Sequence, residues 1–153
     1  MRTALVGVAL LLLGVAIVAP HRSAPKSPYH ADIVRTPGVL NPDVTQATIH
    51  ATICVRGWTK TIRPPTSYTN ELKQKQMREY GVAGSRSDYQ EDHLISLELG
   101  GHPTDPRNLW PQPYPRASEV DAIENDLNDE VCSGELSLAE AQQKETALKH
   151  TDG

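Results

Sequence analysis

Asp92 and His93 stand side by side in "YQEDHLISLELGG", residues 89–101, in an apolar stretch that turns on Gly100 and Gly101. An unperturbed imidazole is mostly neutral near pH 7, so His93, exposed at a strand end, would take a proton from water. A carboxylate beside it suits a hard divalent cation. The chain offers a second carboxylate for the same purpose. In the helix expected over residues 118–131, steps of about 100° per residue place Glu124 inside the apolar stripe of Val120, Ile123, Leu127 and Val131. A carboxylate on a buried face is costly unless it is paired or holds a metal. A cation held by Asp92 and Glu124 would polarise a phosphoryl oxygen and stabilise a leaving group, and with His93 this is a minimal kit for phosphodiester hydrolysis. The structural alternative for Glu124 is an ion pair with Arg107 or Arg116. His102 reads as a loop residue, and Trp58 and Trp110 read as core.

The elements that must position these residues follow from local signals. "NPDV" at 41–44 looks like a helix start, with Asn41 as cap and Pro42 at the first helical position, and predicts a helix to about Val55 that stops at Gly57. "GWTKTIRPPTSY" is expected to be extended because of Pro64 and Pro65. "NELKQKQMREYG" predicts a helix from near Asn70 to Gly81. "YQEDHLISLEL" predicts a strand, "GGHPTDPR" a loop and "NLW" a second short strand. Ser118 with Asp121 suggests a capping box for the 118–131 helix, which Gly134 ends. Ser137 with Glu140 suggests another, opening an Ala-rich last helix to about Lys149.

Composition bounds the rest. The chain has 153 residues, 38% of them hydrophobic and none of them Phe, so the core is modest. Arg2 precedes residues 4–19, "ALVGVALLLLGVAIVA", an uncharged apolar run that reads as a signal peptide or short membrane anchor. The expected location is therefore outside the cytoplasm: periplasmic, secreted or tethered to a membrane through residues 4–19. In such an oxidising compartment Cys54 and Cys132 would pair, two buried free thiols being the alternative. Charge is uneven. Residues 40–90 carry seven Lys or Arg against four acids, whereas residues 91–153 carry four against fourteen. A protein holding nucleic acid by bulk electrostatics would not have this balance. Contact with a polyanion must rest on the local basic face or on a bound cation.

"DHLISLELGGHPTDPRNLWP" resembles the HNH (ββα-metal) endonuclease motif, in which Asp-His ends a first strand and a Gly-Gly loop follows. An Asn-Leu pair then begins a second strand, and Asp92, His93, Gly100, Gly101, Asn108 and Leu109 fall at those places. The resemblance covers residues 88 to about 132, and residues 41–70 with Cys54 resemble the N-terminal part of small exported bacterial proteins carrying this segment. It implies that His93 is the general base, Asp92 a metal ligand and Asn108 a brace holding the loop and His93. The family's His or Asn on the helix is not at its usual spacing, because "PQPYPRA" intervenes. Glu124 or Asn125 must stand in, and the helical-face argument favours Glu124.

The expected architecture is α+β, a small ββα-metal core with flanking helices, stapled by one disulfide. Its expected parts are a leader (1–20), a linker (21–37), the HNH-like domain (38–136) and a C-terminal helix and tail (137–153). The expected activity is that of a metal-dependent endonuclease acting as a monomer on nucleic acid, DNA before RNA. Its cation would be magnesium or manganese first, with zinc or calcium as alternatives. A non-catalytic exported binding domain on the same scaffold is the competing reading.

Overall fold

The hairpin that carries Asp92 and His93 is short. The computed structural model describes residues 30–153, so the apolar leader lies outside the described residues. Strand β1 (Tyr89–His93) pairs antiparallel with β2 (Leu109–Pro113), setting Asp92 opposite Trp110 and His93 opposite Leu109. The strand expected through "LISLEL" stops at His93 instead. Leu94, Ile95, Leu97 and Leu99 are all buried, so this segment lacks the alternation of a half-exposed strand. It folds into a turn of 3-10 helix, Leu97–Leu99, that buries its apolar side chains without a ladder.

Both glycines of the loop are required by space. A Cβ on Gly101 would lie 1.7 Å from the Ile95 carbonyl oxygen. Gly100 has a φ of +79°, and its Cβ would lie 2.6 Å from Cγ1 of Val44. The sharp turn after Asp92 and His93 is thus a packing requirement that brings residues 95 and 101 together.

The described residues form four α-helices besides the hairpin: α1 (Trp58–Ile62), α2 (Thr66–Tyr80), α3 (Arg116–Ser133) and α4 (Leu138–Thr151). Gly81 and Gly134 close α2 and α3 in the left-handed conformation, as the sequence suggests. The capping box of Ser137 and Glu140 opens α4. Three expectations fail. The predicted helix over 41–55 is a run of turns with a single turn of 3-10 helix, Ile49–Ala51. There the Asn41 side chain accepts only from Asp43 N–H, while the Thr48 and Thr52 hydroxyls donate to backbone carbonyls. Side chains that bond the local backbone, in a β-branched stretch, outcompete the helix. The segment expected to be extended forms α1 before Pro64 and Pro65 break the chain, so α2 begins earlier than Asn70. Ser118 does not cap α3, which starts at Arg116.

The core joins the two cysteine-bearing segments. Val44, Ile49 and Ile53 pack with Ile95, Leu99, Leu127, Val131, Leu138 and Ala141. Cys54 and Cys132 are disulfide-bonded across this core. A second cluster of Ala31, Leu94 and Trp110 takes in Tyr80. Ala31 and Thr36, expected in a linker, are fully packed, and Ala31 N–H donates to the Lys149 carbonyl at 2.8 Å. The last helix supplies core residues as well, Leu138 and Ala141. The described residues therefore form a small α+β fold in which a β-hairpin is followed by helices. No helix among them is long and apolar enough to cross a membrane.

Candidate functional site

Asp92 points from β1 toward α3 and α4, and it meets a lysine there. Lys149 Nζ donates to Asp92 Oδ2 at 2.7 Å, to Glu124 Oε1 at 2.5 Å and to the His93 carbonyl at 2.5 Å, with Glu145 Oε1 at 3.2 Å. The lysine is wholly buried. Burial alone would lower its pKa, but Asp92, Glu145 and Glu124 outweigh that and hold it well above the ordinary value. Glu124 is buried on the helix face the sequence indicates. Burial, against the pull of Lys149, raises Glu124 well above the usual carboxylate range. Burial likewise raises Glu145, whose two carboxylate oxygens accept from Ser96 N–H at 2.9 and 3.0 Å.

The ion pair between Glu124 and Arg107 or Arg116, the alternative to a ligand role, does not form. Arg107 pairs with Asp105, and Arg116 with Glu119 and Asp152. The partner of Glu124 is Lys149. Neither Lys149 nor Glu145 stands out in an Ala-rich helix, yet a signal was present. Leu138, Ala141, Glu145 and Lys149 share the buried face of α4, so the argument that exposed Glu124 in α3 applies to them unchanged.

Asp121 is the third acid near Asp92. One ligand oxygen from each of Asp92, Asp121 and Glu124 lies within 4.8 Å of the others. Gln90 Nε2 spans the gap, donating to Asp92 Oδ1 and Asp121 Oδ1, both at 3.3 Å. Burial, then the Asp92 charge, raises Asp121. Asp121 and Glu124 line a cleft of about 250 Å³ between α1, α3 and the turn after β1, with Glu98, Ser96 and Arg63 among the other walls. Burial, then the Glu145 charge, pushes Glu98 up to about 7. The donors are oxygens alone, the set that magnesium, manganese and calcium prefer over zinc.

His93 is buried, not exposed as expected at a strand end. Its Nε2 donates to the Pro103 carbonyl at 3.0 Å, leaving the lone pair of the neutral ring on Nδ1. Burial, chiefly, lowers its pKa. The ring packs toward the loop and is not in the wall of the acidic cleft. Asn108, also wholly buried, accepts from Ile95 N–H at 3.0 Å and donates to the carbonyls of Ile95 at 3.0 Å and His102 at 3.1 Å. It ties both ends of the Gly-Gly loop together, and Pro103, the partner of His93, comes directly after His102. Asn125 is exposed at the cleft rim, where its amide bonds the Asp121 carbonyl. His102 is a loop residue whose Nδ1 accepts from Asp105 N–H. Trp110 is core.

The arrangement is a hairpin and a following helix that bring acids together beside a buried, neutral histidine. Comparison of the chain with models of protein families, with curated proteins and with solved structures finds no match.

Proposed function

We propose that this protein is a divalent-cation-dependent phosphodiesterase acting on nucleic acid, DNA being the first substrate to test. The observation that carries the reading is that α3, following the hairpin, delivers Asp121 and Glu124 to the Asp92 end of β1. The HNH-like reading of the sequence asks for a His or Asn from the helix at this junction, and Glu124 stands in its place. Asp92, Asp121 and Glu124 would hold the cation, which when bound would polarise a phosphoryl oxygen. His93, kept neutral by burial and fixed through Nε2, lies outside the cleft wall, so it would accept a proton at Nδ1 only from a water admitted beside the loop. Asn108 would hold the loop that positions His93. Arg63, exposed at the cleft wall, would meet a phosphate that the acids alone would repel.

The test is plasmid nicking by the purified exported chain with magnesium or manganese, with and without chelator. Chelator-sensitive nicking that His93→Gln and Asp92→Asn abolish supports the reading. Nicking unchanged in either variant removes that residue from the mechanism.

One observation favours a second reading, a non-catalytic exported binding domain. Lys149 already supplies a cation to Asp92 and Glu124, so the fold is complete without a metal. Absence of nicking by folded wild-type protein under every metal condition would select it.

A further inference from the structure

Away from the acidic cleft, residues 32–36 form a turn whose construction does not match its contents. Asp32 Oδ1 accepts from Val34 N–H at 2.8 Å and from Arg35 N–H at 3.1 Å, and Thr36 N–H donates to the Asp32 carbonyl at 2.7 Å. Both feet of the turn stand on one phenol: Tyr80 Oη accepts from Asp32 N–H at 3.1 Å and bonds Thr36 Oγ1 at 2.6 Å. His150 Nε2 donates to the Thr36 carbonyl at 2.8 Å, and Ala31, directly before the turn, is buried. A turn so tightly bonded ordinarily carries Gly, Asn, Asp or Ser at its tip. This one holds Ile33 and Val34 there, 64% and 81% exposed. Single exposed aliphatics are normal, but two neighbours that a bonded turn holds out in solvent call for an apolar phase to receive them. Charge points the same way. Asp32 is turned inward and buried, whereas the side chain of Arg35 is half exposed, its guanidinium 5.9 Å over the Tyr80 ring. The tip therefore shows two aliphatic side chains and a cation, with no exposed carboxylate among residues 31–36.

We propose that Ile33 and Val34 are a membrane-seating tip, inserted into the interface of a bilayer with anionic lipids, with Arg35 on a headgroup phosphate. The sequence before the turn selects a bilayer as the occupant. Residues 4–19 are the uncharged apolar run expected to enter a membrane, and the inference rests on that expectation. Between that run and the first described residue lie residues 20–29, which at full extension reach about 35 Å, close to the width of a small domain. A domain on so short a link lies against the bilayer, and Ile33 comes within the next few residues. The link carries Arg22 and Lys26 and no acid, so it adds two cations to Arg35 for the same headgroups. Aliphatic side chains beside cations are the composition of interfacial anchors. The turn is already bonded in place, so little ordering entropy opposes its seating. The tip is independent of the hydrolytic reading and would hold the domain in one orientation at the surface.

The experiment uses the full chain reconstituted in vesicles of phosphatidylcholine and phosphatidylglycerol, with brominated or ordinary acyl chains. Flotation shows first that the chain is in the vesicles. Val34→Trp, at an exposed position, leaves the fold intact and puts an indole at the tip. Trp110 is wholly buried and Trp58 partly so, and wild type supplies their background. The added emission should be quenched by brominated lipid and shielded from aqueous iodide. Val55→Trp, at an exposed valine outside the turn, should be quenched by iodide and not by lipid. In the Val34→Trp background, Arg35→Gln should lower the ratio of lipid-quenched to unquenched tip by about fivefold, the effect of one cation near an anionic surface. Arg35→Lys should restore it, and purely neutral vesicles should lower it as well. A tip indole open to iodide and untouched by brominated lipid overturns the proposal. So does one shielded from both, which would mean that the chain's N-terminal residues or a second copy covers the tip. Equal lipid quenching of Val34→Trp and Val55→Trp overturns it too, since no face is then selected. A ratio that Arg35→Gln leaves unchanged overturns the role of Arg35. A chain that does not float with the vesicles overturns the expected anchor and the proposal with it.

Discussion

The Asn108 side chain pairs with the backbone of Ile95 as a strand residue would, accepting from its N–H and donating to its carbonyl, each at 3.0 Å. Beyond Leu94 N–H, which still bonds the Asn108 carbonyl at 2.8 Å, the ladder has ended and an amide side chain supplies the next rung. The loop can therefore leave the sheet at once while its backbone groups stay bonded. Asn108→Ala should orphan these groups in a wholly buried place and destabilise by about 2–4 kcal/mol. Urea unfolding of the two proteins measures it. A loss under about 0.5 kcal/mol, the range of an ordinary surface change, would mean that water replaces the amide.

Lys149 is the counter-charge of three buried carboxylates, and its removal should be worse than the loss of any one acid. Lys149→Met leaves Asp92, Glu124 and Glu145 buried without a cation, at a cost of about 3–5 kcal/mol. A second change, Glu145→Gln, should recover part of that loss in the Lys149→Met background although it is destabilising alone. Chemical denaturation of the four proteins forms the cycle. Strict additivity would show that the two side chains are not energetically coupled.

The position of Glu124 was legible because a helix projects a fixed period onto the sequence, and one charged residue among Val120, Leu127 and Val131 breaks it visibly. The partner was not, because α4 is rich in Ala and polar residues and its buried stripe is narrow. A lysine in a last helical turn also has an ordinary reading, as a charge opposing the helix dipole. The pairing of Cys54 with Cys132 came from their number and the expected compartment, without any knowledge of the turns between them. Those turns were misread because Asn41 and Pro42 begin a turn by the same local chemistry that begins a helix. The residues after them decide between the two, and there the Thr48 and Thr52 hydroxyls bond the backbone. The burial of His93 depends on the Gly-Gly loop folding back over it, a contact set by packing that no local pattern encodes.

The disulfide ties the turn region to α3 across 78 residues of chain. On the chain-entropy model a closed loop of that size is worth about 4 kcal/mol. Cys54→Ser with Cys132→Ser, or full reduction of wild type, should lower the unfolding midpoint accordingly. Both measurements should agree, since each removes the same constraint. A small effect in reduced protein would mean that the packing of Ile49 and Ile53 on Leu127 and Val131 holds the segment unaided.

Glu91 gives the sharpest dependence on pH. It lies on β1 opposite Pro111, and neither of its carboxylate oxygens has a hydrogen-bond partner among the described residues. Lys73, whose charge acts on it, donates instead to the Tyr89 carbonyl at 2.8 Å. Burial therefore dominates and pushes Glu91 up from 4.5 to about 9. The sign comes from linkage. Below the unfolded value both states hold the proton and nothing is lost. Between 4.5 and about 9 the unfolded chain releases a proton that the folded chain keeps, so stability falls as pH rises, by up to about 1.4 kcal/mol per pH unit. Glutamine has the same shape and no proton to lose. Glu91→Gln should match wild type near pH 4.5 and exceed it progressively, by about 2 kcal/mol or more at pH 8. Urea unfolding of both proteins at half-unit steps from pH 4.5 to 8 measures the difference. A difference that stays flat across that range would show that the carboxylate ionises in the folded protein as it does in water, with solvent or a cation reaching it between α2 and the hairpin.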